Sequence, residues 1–350
     1  MCCIKDVYFA GATPKKQAII PMFLKEVLTF LNERLLSFPK FPLCHLPTPC
    51  HRLNFISDTY GCEVYCKRDD LTGFGFGGNK SRKLELLLHE AQEHRCNTIV
   101  TSGGIQSNFC RITAAAGAVA GMAVYLILGG IPPKIPSGNL ILNHLLGAEL
   151  RYVDSPDWSE WEAESVEVAR KLTNDGRKVF FIPIGGSVPV GAIAYVNAFL
   201  EILDAERQIG TSFDQIIHAS GSGGTQAGLV VGKEMTGWSG KINGISVAME
   251  RDILIEKVYK LALESASLLG GRVERDSVFV NDAFLGSGYA IGTPEAQKAI
   301  EYFSRHEGIF LDHIYTGKAA SALLQWLEQG RMTGKTVLFI HTGGEPELFA

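Results

Sequence analysis

Residues Thr98-Ile-Val-Thr-Ser-Gly-Gly-Ile-Gln-Ser-Asn108 pass from a β-branched run, through two glycines, into polar residues that open a helix. Small residues continue that helix to Ala120, Gly121 ends it, and Ala123-Val-Tyr-Leu-Ile-Leu128 reads as a second buried strand closed by Gly129-Gly130 and Pro132-Pro133. Strand, helix and strand in this order make a βαβ unit, and such a unit requires a parallel sheet covered by helices. The stretch from Ile112 to Pro133 is uncharged and long enough for a membrane span, but the glycine and the change of period divide it into two elements of a soluble fold.

The same alternation extends in both directions. A strand over 63–67 and a helix over 80–94 come before it. A helix around 139–146, a strand over 149–153, a helix over 158–174 and a strand over 179–183 follow. The second half repeats the logic with strands at 215–219, 241–247 and 337–341 and helices near 225–235, 252–269 and 293–306. The expected class is therefore α/β, with parallel open sheets covered by helices and ligands bound in the loops after the strands. A length of 350 residues suits two domains, and 38 glycines against 14 prolines suit many tight strand-to-helix turns.

A net charge of −4 with no block of lysine and arginine gives no electrostatic footprint for nucleic acid or a membrane surface, so the expected partner is a small molecule. The eight cysteines stop at Cys110 and form no disulfide framework, which suits a reducing cytoplasm. Cys62 and Cys66 lie in a strand-like run with no second ligand pair at zinc spacing, so they read as core thiols and no metal is expected. The opening residues lack the pattern of a secretory signal. Residues 1–34 read as an N-terminal extension, with helical apolar spacing at Phe23, Val27, Leu28, Phe30, Leu31 and Leu35 that suits packing on the body or on a dimer partner.

Three loops carry chemistry. In Phe74-Gly-Phe-Gly-Gly-Asn-Lys80-Ser-Arg-Lys83, a lysine enters a helix start, where the helix dipole and desolvation both disfavour its protonated form. A neutral amine is what Schiff-base chemistry requires. In Ser220-Gly-Ser-Gly-Gly-Thr225, glycines let backbone amides approach a phosphate, and the Ser222 and Thr225 hydroxyls with the helix N-terminus complete an anion site. The loop fits neither a Walker motif nor a dinucleotide fingerprint. In Thr101-Ser-Gly-Gly-Ile-Gln-Ser107-Asn108, exposed amides, a hydroxyl and a carboxamide suit a substrate carboxylate, and equally suit an ordinary helix N-cap.

With these loops in this order the chain resembles the fold type II (tryptophan synthase β-like) pyridoxal phosphate enzymes, in particular the 1-aminocyclopropane-1-carboxylate deaminase and D-cysteine desulfhydrase family. The resemblance runs from about Phe38 to Ala350 through Leu46-Pro-Thr-Pro49, Lys67-Arg-Asp-Asp-Leu71, Gly78-Asn-Lys-Ser-Arg-Lys-Leu-Glu85, Gly104-Ile-Gln-Ser-Asn108, Gly223-Gly-Thr-Gln-Ala-Gly228, Tyr315-Thr-Gly-Lys318 and His341-Thr-Gly-Gly344. It implies pyridoxal 5′-phosphate as cofactor, held as a Schiff base on Lys80. Ser222, Gly223, Gly224 and Thr225 would bind its phosphate, with Lys83 in reach. Ser107 and Asn108 would hold the substrate carboxylate or the cofactor O3′, Tyr315 would stack on the pyridine ring, and Tyr289 would be a second active-site tyrosine. A homodimer is implied as well.

The resemblance also takes sides. The cyclopropane deaminases typically carry Glu after the tyrosine of Tyr-x-Gly-Lys and Leu in His-x-Gly-Gly; here those positions are Thr316 and Thr342. Hydroxyls in place of a carboxylate imply a less protonated pyridine nitrogen and a weaker electron sink, which suffices when the leaving group is a thiolate. The expected reaction is β-elimination of D-cysteine to hydrogen sulfide, pyruvate and ammonia. L-cysteate, D-serine, β-chloro-D-alanine or 1-aminocyclopropane-1-carboxylate chemistry stand as alternatives, with a non-catalytic cofactor or amino-acid sensor as the reading of another class. Phe109, where relatives often place His or Gln, implies a drier substrate edge. Because the lysine and the phosphate loop flank a block of βαβ units, the expected domains are 35–83 with 186–350 for the cofactor and 84–185 as a smaller insert.

Overall fold

The computed structural model describes residues 22–350, with side chains from Glu26 onward, so 1–21 and the Phe23 side chain of the expected N-terminal helix lie outside the described residues. Ten strands form two sheets. They are β1 (Cys50–Arg52), β2 (Glu63–Arg68), β3 (Thr98–Gly104), β4 (Ala123–Gly129), β5 (Glu149–Val153), β6 (Val179–Ile182), β7 (Gln215–Ser220), β8 (Lys241–Ser246), β9 (Phe279–Asn281) and β10 (Thr336–His341). One sheet has the order β1-β2-β10-β7-β8-β9 and the other β5-β4-β3-β6. Every pairing is parallel except that of β1 with β2.

Both sheets are covered on both faces, which is why their strands read as continuous apolar runs. Along β10, Leu338 and Ile340 enter a core with the helices Pro189–Ile209, Gly224–Thr236 and Arg251–Leu269. Val337 and Phe339 point the other way, into a core with the helices Pro294–Glu307 and Thr316–Glu328. In the smaller sheet, Ile99 packs with the helices Asn79–Glu93 and Asn108–Ala120, and Val100 with Trp158–Asn174. The helix Met22–Leu35 lies on the body: Leu31 and Leu35 are buried in the core of the larger sheet, while Phe30 stays exposed beneath the Arg34 guanidinium.

The topology assembles the site. β10 is last in the chain yet lies between β2 and β7, so the loops that leave β2, β10 and β7 emerge side by side. β3 and β6 are likewise neighbours, and their carboxyl ends carry Gly103-Gly104 and the turn Ile184–Gly186. All strands of the smaller sheet fall between residues 98 and 182, and those of the larger sheet lie on either side of that block.

Three described α-helices have no counterpart in the sequence pattern: the short Asn54–Tyr60, Pro189–Ile209 and Thr316–Glu328. Pro189–Ile209 is the longest described helix, and Gly191 through Val196 are all buried, so its first half shows no polar face and polar residues appear only from Asn197 onward. Thr316–Glu328 has the same cause: eleven of its residues are buried, many of them small.

Candidate active site

Lys80 sits one residue inside the helix Asn79–Glu93, whose start is pinned by backbone. The first amide, Asn79 N–H, donates to Thr342 O at 2.9 Å, and Gly78 N–H donates to Asp69 O at 3.0 Å. That approach needs glycine twice: a methyl on Gly343, at φ +85°, would fall 2.6 Å from Gly78 Cα, and Gly78 itself has φ +112°. The rest of the helix start is locked by charge. The Arg82 guanidinium binds Asp69 at 2.8 Å and Glu201 at 2.7 Å, and Lys67 meets Glu201 at 2.7 Å. Burial raises the Asp69 carboxyl, but Arg82, Lys67 and the Tyr195 hydroxyl outweigh it and hold Asp69 below its ordinary value.

The Lys80 amine opens on a cleft walled by the loops that follow β3, β6, β7 and β10. Burial lowers its pKa to about 8, partly opposed by a hydrogen bond with Lys83. Lys83 is wholly buried and depressed further, by burial and then by the charge of Lys80. Desolvation thus leaves a substantial fraction of Lys80 neutral near physiological pH.

The loop after β7 curls against these two lysines. Gly223, at φ +89°, caps the helix Gly224–Thr236, whose first amides face the cleft end. A methyl on Gly224 would come within 2.6 Å of Lys83 Nζ and 2.9 Å of Ser187 Oγ, and one on Gly185 within 2.3 Å of Ser222 Oγ and 3.6 Å of Lys80 Nζ. Ser187 donates to Ser222 Oγ at 2.7 Å, and Asn79 Nδ2 donates to Thr225 Oγ1 at 2.9 Å. The buried Ser220 hydroxyl has no protein partner. Amide N–H groups, hydroxyls and a buried amine around a hollow that a single Cβ would fill are a fitting receptor for a phosphate. These residues and Lys80 fit pyridoxal phosphate.

Across the cleft, Ser107 caps the helix Asn108–Ala120 by accepting from Cys110 N–H at 3.2 Å, and it also lines the cleft. Asn108 Oδ1 accepts from Asn139 Nδ2 at 2.9 Å and from Arg111 at 3.3 Å, which orients its amide N–H groups away from those partners. Arg111 in turn bonds the carbonyls of Gly75 and Gly77, tying this wall to the Lys80 loop. Phe109 lines the cleft and would be met at 2.8 Å by a methyl on Gly186.

Tyr289 and Tyr315 close a third side, with their hydroxyls 2.7 Å apart. Burial raises both phenols, Tyr289 to about 12 and Tyr315 well above its ordinary value, so both are neutral near pH 7. Trp158 meets the Tyr289 ring edge-on at 4.8 Å. Thr342 lines the cleft. Thr316 does not: its hydroxyl donates to Asp312 Oδ1 at 2.6 Å and accepts from Asp312 N–H at 2.9 Å, deep in the fold. Sequence reasoning missed Asn79, Trp158, Trp161 and the 184–187 turn. The glycine pair after β6 was the available signal for the last of these, and nothing marked the tryptophans.

One group of metal-ligand type occurs among the described residues, Asp70 with His341 and Glu345. Asp70 is taken by Arg68, and His341 accepts from Gly343 N–H and bonds Phe310 O, so their atoms are already engaged. Cys62 is a core thiol bonded to Met332 O. No described helix is long and apolar enough to cross a membrane.

The family model described as pyridoxal-phosphate dependent enzyme matches residues 42–343. A Pyrococcus abyssi protein with 1-aminocyclopropane-1-carboxylate deaminase as its provisional name is 38% identical over 89% of this chain and 93% of its own. The D-cysteine desulfhydrase of Yersinia pestis (strain Pestoides F) is 36% identical over 91% of this chain and 98% of its own. A crystal structure of a 1-aminocyclopropane-1-carboxylate deaminase homologue superposes with a TM-score of 0.85 at 37% identity, covering 91% of this chain and 96% of that one. The chain belongs to the pyridoxal-phosphate dependent enzymes of fold type II. Within them it belongs to the family of these deaminase and desulfhydrase relatives.

Proposed function

We propose that the chain eliminates thiolate from D-cysteine, giving hydrogen sulfide, pyruvate and ammonia. The observation that carries this reading is the charge of the cleft: among its described lining residues there is no Asp or Glu, and Lys80 is the one Lys or Arg. When bound, pyridoxal phosphate supplies the electron sink for a carbanion at Cα. With no carboxylate among the described lining residues, that sink is weak, enough to expel a thiolate but poor for opening an unactivated cyclopropane ring.

Lys80 would hold the cofactor, and its amine, freed when the substrate amine takes its place, takes the Cα proton. The loop at Ser222–Thr225, with Lys83 behind it, holds the phosphate. Ser107, Asn108 and the first amides of their helix hold the substrate carboxylate. Tyr315 packs on the ring, and the neutral Tyr289–Tyr315 pair delivers a proton toward the departing sulfur. The enamine released then takes up water to give pyruvate and ammonia. Phe109, Trp158 and Trp161 exclude bulk water. In line with the two sheets, we infer two lobes, the smaller over 84–185, and a homodimer as the working unit; a one-chain mass in solution would remove the latter.

A panel of D-cysteine, L-cysteine, L-cysteate, D-serine and 1-aminocyclopropane-1-carboxylate, scored for sulfide, pyruvate and 2-oxobutyrate, tests the reading. Sulfide with pyruvate from D-cysteine is expected. Robust 2-oxobutyrate from the cyclopropane with no sulfide would replace it by the deaminase reading. Borohydride reduction of the loaded protein should tag Lys80, and a tag on Lys83 would overturn that assignment.

A further inference from the structure

Lys318 is a wholly buried cation with no carboxylate of the described residues within ion-pair distance. It ends the Tyr315-Thr-Gly-Lys318 motif, one turn into the helix Thr316–Glu328, and does not line the cleft. Its Nζ donates to two backbone carbonyls, Leu285 O at 2.8 Å and Gly288 O at 3.0 Å. Those carbonyls belong to the segment that delivers Tyr289.

Beyond the ring contacts of Phe284 with Trp326 and Tyr289 with Trp158, that segment has no regular structure to fix it. It contains no helix or strand between Asn281 and Pro294, and Gly286, Gly288 and Ala290 all have positive φ, at +68°, +141° and +60°. Ala290 pays strain for that conformation, so something must over-determine it. Among the described residues, the side-chain hydrogen bonds that tie residues 284–290 to the rest of the fold are the two from Lys318 and the Tyr289–Tyr315 pair.

The opposite tyrosine is held in a matching way. Asp312, also wholly buried, accepts from Ile314 N–H at 3.0 Å, Tyr315 N–H at 2.8 Å and Thr316 N–H at 2.8 Å. A buried anion thus fixes the backbone of Tyr315, and a buried cation fixes the backbone just before Tyr289. Burial lowers the Lys318 pKa while the field of Asp312 opposes that fall, so the two charges sense each other across the helix start.

We propose that Lys318 is a positioning residue for the reaction: by clamping the Leu285 and Gly288 carbonyls it registers the Tyr289 hydroxyl against that of Tyr315. This rests on the reading that the tyrosine pair moves a proton. A buried ammonium costs desolvation, and an apolar side chain of similar length would fill the space at lower cost. What such a side chain could not do is bond two carbonyls in a loop without secondary structure. A loss of register of about 1 Å at a reacting group costs roughly two orders of magnitude in rate.

The experiment compares Lys318→Met, Tyr289→Phe and the double variant, all loaded with cofactor, on whichever amino acid the unmodified enzyme turns over. Lys318→Met is expected to lower kcat about 100-fold with little change in cofactor affinity, and the double variant to be no slower than the slower single one. Hydrogen exchange of the peptide 282–292, measured with and without cofactor, should quicken in Lys318→Met while that of 220–236 stays unchanged. Losses that multiply, a kcat within about twofold of the unmodified enzyme, or unaltered exchange would each overturn the proposal. If Lys318→Met does not fold, Lys318→Gln keeps a donor for one carbonyl and should give an intermediate loss with the same coupling to Tyr289; independence from Tyr289 overturns it again. Failure of the D-cysteine reading is seen separately, as a change in which substrate the unmodified enzyme accepts.

Discussion

If burial is what depresses the Lys80 amine, its reactivity toward an aldehyde follows its neutral fraction at each pH. Its ammonium form, ordinarily near 10.5, is brought to about 8. Near pH 7.5 such an amine is about 24% neutral against about 0.1% for an unperturbed lysine, a ratio of roughly 240; near pH 10 the ratio is only about 4. The assay is the rate at which cofactor-free protein takes up pyridoxal phosphate, followed by absorbance and divided by the rate for Nα-acetyl-lysine in the same buffer. The division cancels the ionisations of the cofactor itself. The quotient is expected to fall about 60-fold between those two pH values. A flat quotient would show that Lys80 titrates as an ordinary lysine and that burial does not activate it. The same shift has a stability signature. A lysine depressed in the folded state binds fewer protons than in the unfolded chain, so the cofactor-free protein gains stability as pH rises between about 8 and 10.5.

Three further outcomes follow from the geometry. Gly343→Ala should lower stability by roughly 2 kcal/mol or more and weaken cofactor binding, since its methyl meets the Gly78 backbone at an unfavourable φ; unchanged thermal unfolding would contradict the close approach. Arg82→Met should cost about 3–5 kcal/mol in denaturant unfolding, because it strands a wholly buried Asp69. The Asp69 carboxyl is depressed in the folded state, so its contribution is present above the ordinary carboxylate range and is lost as pH falls through the depressed value; Arg82→Met should therefore also move acid unfolding to higher pH. Thr342→Leu removes a lining hydroxyl and should lower sulfide release at least about tenfold with cofactor loading retained; equal rates would show that this hydroxyl does not tune the reaction.

How much of this was legible in the sequence depended on whether a residue's signal was local. The βαβ alternation was readable because glycines punctuate each strand-to-helix turn and parallel strands are apolar throughout. The boundaries of β5 and of the helix Trp158–Asn174 fall where the pattern put them. Pro189–Ile209 was not readable because its first half, Gly191 through Val196, is buried throughout and shows no polar stripe to mark a period. The three chemical loops were legible for the same reason as the strands. Trp158 and the Ser187 hydroxyl were not, since they reach the cleft only through the pairing of β3 with β6 and the packing of a helix that begins far along the chain. Thr316 shows the opposite failure: a motif neighbour of Tyr315 suggested the cofactor, yet one residue along a helix start turned its hydroxyl to Asp312.

The division of labour between the sheets gives those distances a reason. Lys80 and the loop at Ser222–Thr225 both leave strands of the larger sheet, or are bonded to one: Asn79 to the end of β10, and Ser222 directly after β7. The two proposed attachment points of the cofactor therefore belong to one body, stiffened by the Asp69–Arg82–Glu201–Lys67 chain. Ser107, Asn108 and Trp158 leave strands of the smaller sheet instead. The helix Asn79–Glu93 joins the two, with Leu86 in the core of the larger sheet and Leu84, Leu87 and Leu88 in that of the smaller. A mutation in this helix thus acts differently by face. Leu86→Ala should loosen the lysine from its phosphate loop and weaken cofactor binding, while Leu87→Ala should displace the carboxylate-binding wall and raise KM with cofactor affinity kept. Measuring both constants for both variants separates the faces, and equal effects on the two constants would show that the helix does not divide the site in this way.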